Sequence, residues 1–241
     1  MNGPGRSCRA GLPALLVALL VTLLIPLLVP LHGAAQQGAA SSPAEADRLV
    51  ERAHQDRAIV YFLLEPETHA FDLYHDYTES RPGVARYLNV VRKGSSASNP
   101  SARNLDTGEA LAVETVPGSA LAKTGTPEDE EVAPDSEVVV VHFPPVPPGG
   151  SVRLRIAETY TDAKSYRLEG EELVFDRTFG RPRNSVVLPA GWYLTASSIP
   201  AMVSETPDGR IRLDFANPRP DEIAVLIKAR RRPAKLRTAL E

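Results

Sequence analysis

Five histidines, one cysteine and thirty acidic residues are the raw material for chemistry in this 241-residue chain. Zinc hydrolysis needs a cluster such as His-Glu-x-x-His, which puts two imidazoles and a proton-accepting carboxylate on one helix face. His54 is followed by Gln55, Asp56 and Arg57, which breaks that pattern at once. His69 and His75 share one side of an alternating stretch, but six extended residues separate them by about 20 Å, too far to share an ion. They read as histidines at the edge of a core face, with Asp72, Tyr74 and Asp76 on the solvated side. A serine hydrolase sets its nucleophile in a Gly-x-Ser-x-Gly elbow, and the chain has none. The stretch from Gly118 to Thr124 imitates a phosphate loop, but it lacks the glycine before Lys123 and is one residue short. A glycosidase needs two carboxylates about 5–9.5 Å apart. Asp162, Glu169, Glu171, Glu172 and Asp176 supply the residue type, and charged turns between strands are the plainer account of them. These observations assign no catalytic residue, no metal ligand and no cofactor.

The most distinctive local composition is Arg177-Thr178-Phe179-Gly180-Arg181-Pro182-Arg183-Asn184, followed by Pro189-Ala190-Gly191-Trp192-Tyr193. Three arginines beside an asparagine are a composition that holds carboxylate or sulfate, and aromatic rings at a turn suit stacking on a sugar. Arg177, Arg181, Arg183, Asn184, Trp192 and Tyr193 are therefore the candidate ligand-binding residues. A second account stays open: Trp192 plugs the end of the core and the arginines lie over its rim.

The elements that must position these residues begin with an export segment. Arg6 and Arg9 precede an apolar run from Ala10 to Leu31, and Gly33-Ala34-Ala35 supplies a small-x-small exit. Residues 1–35 read as a signal peptide, with an uncleaved N-terminal anchor as the alternative. Pro13, Pro26 and Pro30 interrupt the run, each removing a backbone donor that lipid cannot replace. Cys8 lies ahead of the apolar run, so a chain cleaved near Gln36 has no thiol for a disulfide, a nucleophile or a zinc site. Loss of Arg6 and Arg9 would take the formal charge from −3 to about −5, ordinary for a soluble surface.

Residues 36–57 read as a tether and a short helix: Ser42 is an N-cap, Pro43 the first helical position, and Glu45 the returning partner of a capping box. From Ala58 the apolar period becomes two. Strands are expected over 59–64, 69–77, 84–92, 110–116, 138–143, 152–160, 173–179, 185–188, 193–197, 211–215 and 223–229. Residues 94–109, rich in Gly, Ser, Asn and Pro, read as a turn-rich connection, and 117–136, with the acidic block beginning at Glu128, as an excursion with little to bury. About ten short, evenly spaced strands without intervening helices predict an all-β fold, an antiparallel β-sandwich over residues 58–229. Residues 230–241 form a basic tail.

Three short motifs carry a family resemblance: Leu64-Glu65-Pro66-Glu67-Thr68-His69-Ala70-Phe71; Val146-Pro147-Pro148-Gly149-Gly150-Ser151 leading into Arg153-Leu154-Arg155-Ile156; and Leu188-Pro189-Ala190-Gly191-Trp192. They resemble the non-catalytic N-terminal β-sandwich domain of exported M1- and M61-type metallopeptidases, and the chain as a whole is similar to an uncharacterised exported bacterial family. The resemblance implies a sandwich domain and carries over no catalytic residue, because the zinc helix is absent. The expected function is an exported, non-catalytic binding or assembly module of the bacterial cell envelope, periplasmic or extracellular. Its expected partner is an envelope protein or a glycan. Nucleic acid is not expected, and membrane contact only through a retained N-terminal segment or the basic tail. The rival expectations are a carbohydrate-active hydrolase with paired carboxylates, and an accessory domain docking onto a separate envelope enzyme or transporter.

Overall fold

The computed structural model describes residues 56–123, 132–219 and 221–233. The export segment, the tether and helix ahead of Asp56, the first residues of the acidic block and the end of the basic tail lie outside the described residues. Within them the chain runs through β1 (Arg57–Leu63), β2 (Ala70–Glu79), β3 (Arg86–Val90), β4 (Ser96–Asn104), β5 (Ala110–Pro117), β6 (Glu137–His142) and β7 (Val152–Thr161). It continues through β8 (Tyr166–Glu169), β9 (Glu172–Phe179), β10 (Arg183–Val187), β11 (Trp192–Ser197), β12 (Met202–Glu205), β13 (Ile211–Ala216) and β14 (Ile223–Arg231). One sheet has the order β12-β13-β10-β1-β2-β7-β4-β5-β6-β3, the other β11-β14-β9-β8. The fold is all-β and sandwich-like.

Alternation builds the layers. On β7, Leu154, Ile156, Glu158 and Tyr160 are buried while the residues between them reach solvent or lie half-covered. On β9, Leu173, Phe175, Arg177 and Phe179 turn inward. The small sheet covers the β10-β1-β2-β7 part of the large one, and Tyr61, Phe71, Tyr166, Phe175, Phe179 and Phe215 interlock edge-to-face and stacked between them. The far end of the large sheet curls over, so that Val141 of β6 and the adjoining Phe143 and Val146 cover Tyr77, Leu154 and Ile156 of β2 and β7. Strand β6 is apolar without alternation because both its faces are covered: Val139 and Val141 look into the two larger clusters, Val138 and Val140 onto Leu121 and Val132.

Five features depart from the sequence-based expectation. Residues 94–109 are not merely a connection: β4 lies there, paired with β7 and β5. Backbone hydrogen bonds to a long neighbour hold it despite its serines and Pro100. The 117–136 excursion does bury side chains, since Leu121 and Val132 pack on β6. Strands β8 and β12 are additional. The antiparallel rule holds for every pair except β1 with β10, which run parallel in register Ala58↔Arg183 to Phe62↔Val187; a strand inserted more than a hundred residues later has room for the crossover that a parallel pair demands. At the other end, β14 extends through Arg230 and Arg231, so the sheet takes in the first two residues of the expected tail.

Candidate functional site

The six candidate residues sit on both faces of the sandwich and inside it. Arg177 is 8% exposed and its guanidinium Nη1 donates to Asp162 Oδ2 at 3.1 Å. It lies over the rings of Phe71, Tyr61 and Tyr160 at 5.2, 5.7 and 5.7 Å from their centroids. Burial pushes the Asp162 carboxyl up, but hydrogen bonds from Ser165 and the Arg177 charge outweigh it and hold it below the usual carboxylate range. Asn184 faces inward and donates to the Arg181 carbonyl at 2.9 Å. Arg181 is half-buried in the turn between β9 and β10. Trp192 is 2% exposed and part of the main core. The arginine over its ring is Arg231, at 4.8 Å, tied also to Glu65 at 2.7 Å. Only Arg183 and Tyr193 stand clear, Arg183 on the outer face of the large sheet and Tyr193 on that of the small one. The fold therefore brings no single ligand surface together from these six, and Trp192 serves the core.

What the fold does assemble is the outer face of the large sheet. Arg155 grips Asp76 with two hydrogen bonds of 2.6 Å, Nε to Oδ1 and Nη2 to Oδ2, and its guanidinium lies 4.0 Å from the centre of the Tyr74 ring. This bidentate geometry holds the guanidinium even more firmly in its charged form. Arg183 pairs with Asp56, which also accepts from Thr78 Oγ1 at 2.9 Å. Those two hydrogen bonds, Thr78 first, keep the Asp56 carboxyl below its ordinary value. Arg153 meets Asp106 at 3.5 Å, and Arg212 meets Asp214 at 2.8 Å beside Ser185. Arg210 stands over Phe62, whose ring is 5.8 Å from Tyr74. Near these pairs lies a shallow depression of about 170 Å³ edged by Asp56, Asp76, Thr78, Arg153 and Arg183.

The groups whose proton affinity is shifted chiefly by burial lie elsewhere, in the interior. Glu158 is 3% exposed and burial pushes its carboxyl up to about 7; Asn89 Nδ2 donates to its two oxygens at 2.7 and 3.0 Å. Tyr160, beside it, is raised by burial. His75, also buried, is pushed well below its ordinary value by burial and then by the charges of Arg57, Arg181 and Arg177. Neither the depression above nor a second one of about 300 Å³ at Thr115–Pro117 and Asp135–Glu137 is lined by Glu158 or His75. Sequence reasoning missed Glu158, although it has the same strand parity as Leu154, Ile156 and Tyr160.

The carboxylates of the hydrolase reading are scattered except for Glu169 and Glu172, which lie opposite each other across β8 and β9 and are each neutralised by a cation, Glu169 by Arg167 at 2.6 Å and Glu172 by Lys228. Asp162 points into the core at Arg177, whereas Glu172 and Asp176 lie on the outside of the small sheet, with Glu172 engaged by Lys228 at 2.9 Å. Four strand residues put Glu172 and Asp176 about 13 Å apart, beyond glycosidase spacing. Among the described residues, no three His, Asp or Glu side chains are grouped to hold a metal ion.

No known protein family matches the chain, and no curated protein matches it. Solved structures do. An aminopeptidase N family protein from Idiomarina loihiensis aligns over 71% of this chain and 29% of its own, at 13% identity and a TM-score of 0.39. An M1 zinc metallopeptidase from Deinococcus radiodurans aligns over 71% and 41%, at 16% identity and a TM-score of 0.42. The chain thus spans well under half the length of either. They are of the same class that the short turn motifs resemble, and at these scores the likeness assigns this chain no activity.

Proposed function

We propose that this chain is an exported, non-catalytic binding module of the bacterial cell envelope, and that it holds a protein partner on the outer face of its ten-stranded sheet. The observation that carries this reading is the pre-ordered array of Arg–Asp pairs with Phe62 and Tyr74 on an open face. Arginine and aromatic side chains already fixed in place lose little freedom on association, and they dominate protein interfaces. A depression of about 170 Å³ is small for a metabolite, whose sites run to about 300–1,000 Å³. The buried titratable residues Glu158 and His75 are sealed away from that face. The leader-like composition of residues 1–35 supports the exported setting.

The test uses the chain from Gln36 onward, immobilised and exposed to envelope extract of the organism that encodes it. The partner retained by the wild type is identified, purified and titrated against Arg153→Glu with Arg183→Glu. At least a tenfold loss of affinity is expected, with a melting temperature within about 3 °C of wild type, because exposed pairs contribute little to stability. Equal affinity of the variant would overturn the reading. So would retention of polysaccharide alone on a glycan array.

A further inference from the structure

The strand order places β4, β5 and β6 between β7 and β3, yet Asn89 of β3 reaches Glu158 of β7. The sheet has curled until its edge strand faces its own middle. No backbone ladder closes that gap: β3 is hydrogen-bonded to β6 on one side only, and side chains hold its other flank. Polar contacts do so: Arg57 of β1 donates to the Tyr87 hydroxyl, and Asn89 donates to Glu158 and, at 3.4 Å, to the Tyr160 hydroxyl. The rest is apolar contact of Tyr87 and Val84 with the β2–β7 cluster.

Glu158 is an odd residue to find at such a closure. From β3 it faces Asn89, and along its own strand Tyr160, whose hydroxyl lies 3.4 Å from the same Asn89 amide. From β6 the charge felt is that of Glu137, a like charge. From β2 its cross-strand partner is Leu73. Strand β4 opposes it with a bulge: Ser98 pairs with Thr159 and Ser101 with Ala157, so Asn99 and Pro100 loop out beside Glu158. Arg177 of β9 reaches the Tyr160 ring but is bound to Asp162. No salt bridge to Glu158 is formed among the described residues, and its carboxyl is as buried as the core around it.

We propose that Glu158 is a proton-operated latch: protonated, it lets β3 lie closed on β7, and loss of that proton loosens β3 from the sandwich. An ionised carboxylate in this place has an amide for company and no cation, so desolvation outweighs the hydrogen bonds it accepts. Opening β3 admits water to the carboxylate and relieves that cost. In the protonated state a half-turn of the Asn89 amide offers its carbonyl to the acidic proton, and the contact survives.

Hydrogen exchange of the β3 amides, corrected for intrinsic rates, tests this on the chain from Gln36 onward. A carboxyl that holds its proton to about pH 7 when closed and to about 4.5 when open makes opening roughly tenfold more frequent at pH 8 than at pH 6. Glu158→Gln should abolish that dependence, while amides of β9, in the other sheet, should show none in either protein. A tenfold rise that persists in Glu158→Gln, or one shared equally by β9, overturns the latch. Should the variant not fold, the carbonyl carbon of Glu158 in labelled wild-type protein is titrated by NMR. A midpoint near 7 supports the latch, and a midpoint near 4.5 overturns it.

Discussion

Arg177→Ala separates a recognition residue from a structural one. In the wild type the guanidinium and Asp162 neutralise each other inside the sandwich, with side chains 8% and 4% exposed. Truncation leaves the Asp162 carboxylate held by the backbone N–H groups of Lys164 and Ser165, at 3.1 and 3.0 Å, with no cation beside it. Breaking a buried pair in this way costs about 3–5 kcal/mol, and loss of the cation from above Phe71 removes about 0.5–2 kcal/mol more. For a domain of this size each kcal/mol moves the melting temperature by about 2–4 °C, so a fall of roughly 10 °C or more is expected. Thermal melts at pH 7 measure the fall and urea unfolding the free-energy loss, with Arg183→Ala as the control, since that exposed pair with Asp56 is worth about 0–1 kcal/mol. Arg177→Met combined with Asp162→Asn should recover part of the loss, because both charges then disappear together. An Arg177→Ala protein within about 1 kcal/mol of wild type would refute this reasoning, and so would a double variant no better than the single.

Two buried groups give stability opposing slopes with pH. His75 stays neutral in the fold while the unfolded chain takes up a proton below about pH 6.5, so its share of stability is lost on acidification through that value. Glu158 holds its proton up to about 7 in the fold and to about 4.5 when unfolded, so stability is lost as pH rises across that window, by about 3 kcal/mol in all. Thermal melts from pH 4.5 to 8 should show Glu158→Gln losing stability on acidification and His75→Phe gaining it; identical profiles would contradict both assignments. Gly118→Ala is expected to cost about 1–3 kcal/mol in chemical denaturation. The added Cβ would stand 2.1 Å from the Ala133 carbonyl oxygen and 2.9 Å from Val132 Cγ1, which forces the backbone around Val132 away from β6. A loss below 0.5 kcal/mol, on the order of a typical surface change, would show that this segment yields freely.

The long alternating strands could be read from the sequence because their apolar period survives on a single chain: β1, β2, β7, β9, β13 and β14 each carry one buried face. Strand β4 could not be, since Ser96–Asn104 buries only Ala102 fully and owes its place to hydrogen bonds with β7. Strand β12 buries nothing and exists because β13 offers an edge.

The same distinction explains the candidate site. Arg177 alternates with Leu173, Phe175 and Phe179, so parity alone puts it inside; weighing its charge above its position turned it into a surface residue. The outer face was within reach in part, because Arg153, Arg155, Asp72, Tyr74 and Asp76 all have solvent parity. Which arginine meets which aspartate was not, because it depends on register: Asp76 lies opposite Arg155 only because β2 and β7 pair Phe71 with Tyr160. A slip of one residue would set Asp76 against an inward-facing side chain and dissolve the bidentate pair. Parity is a property of one strand and is written in its residues. Pairing belongs to two strands at once, and here those two are about eighty residues apart, so the chemistry of the face exists only after the sheet has closed.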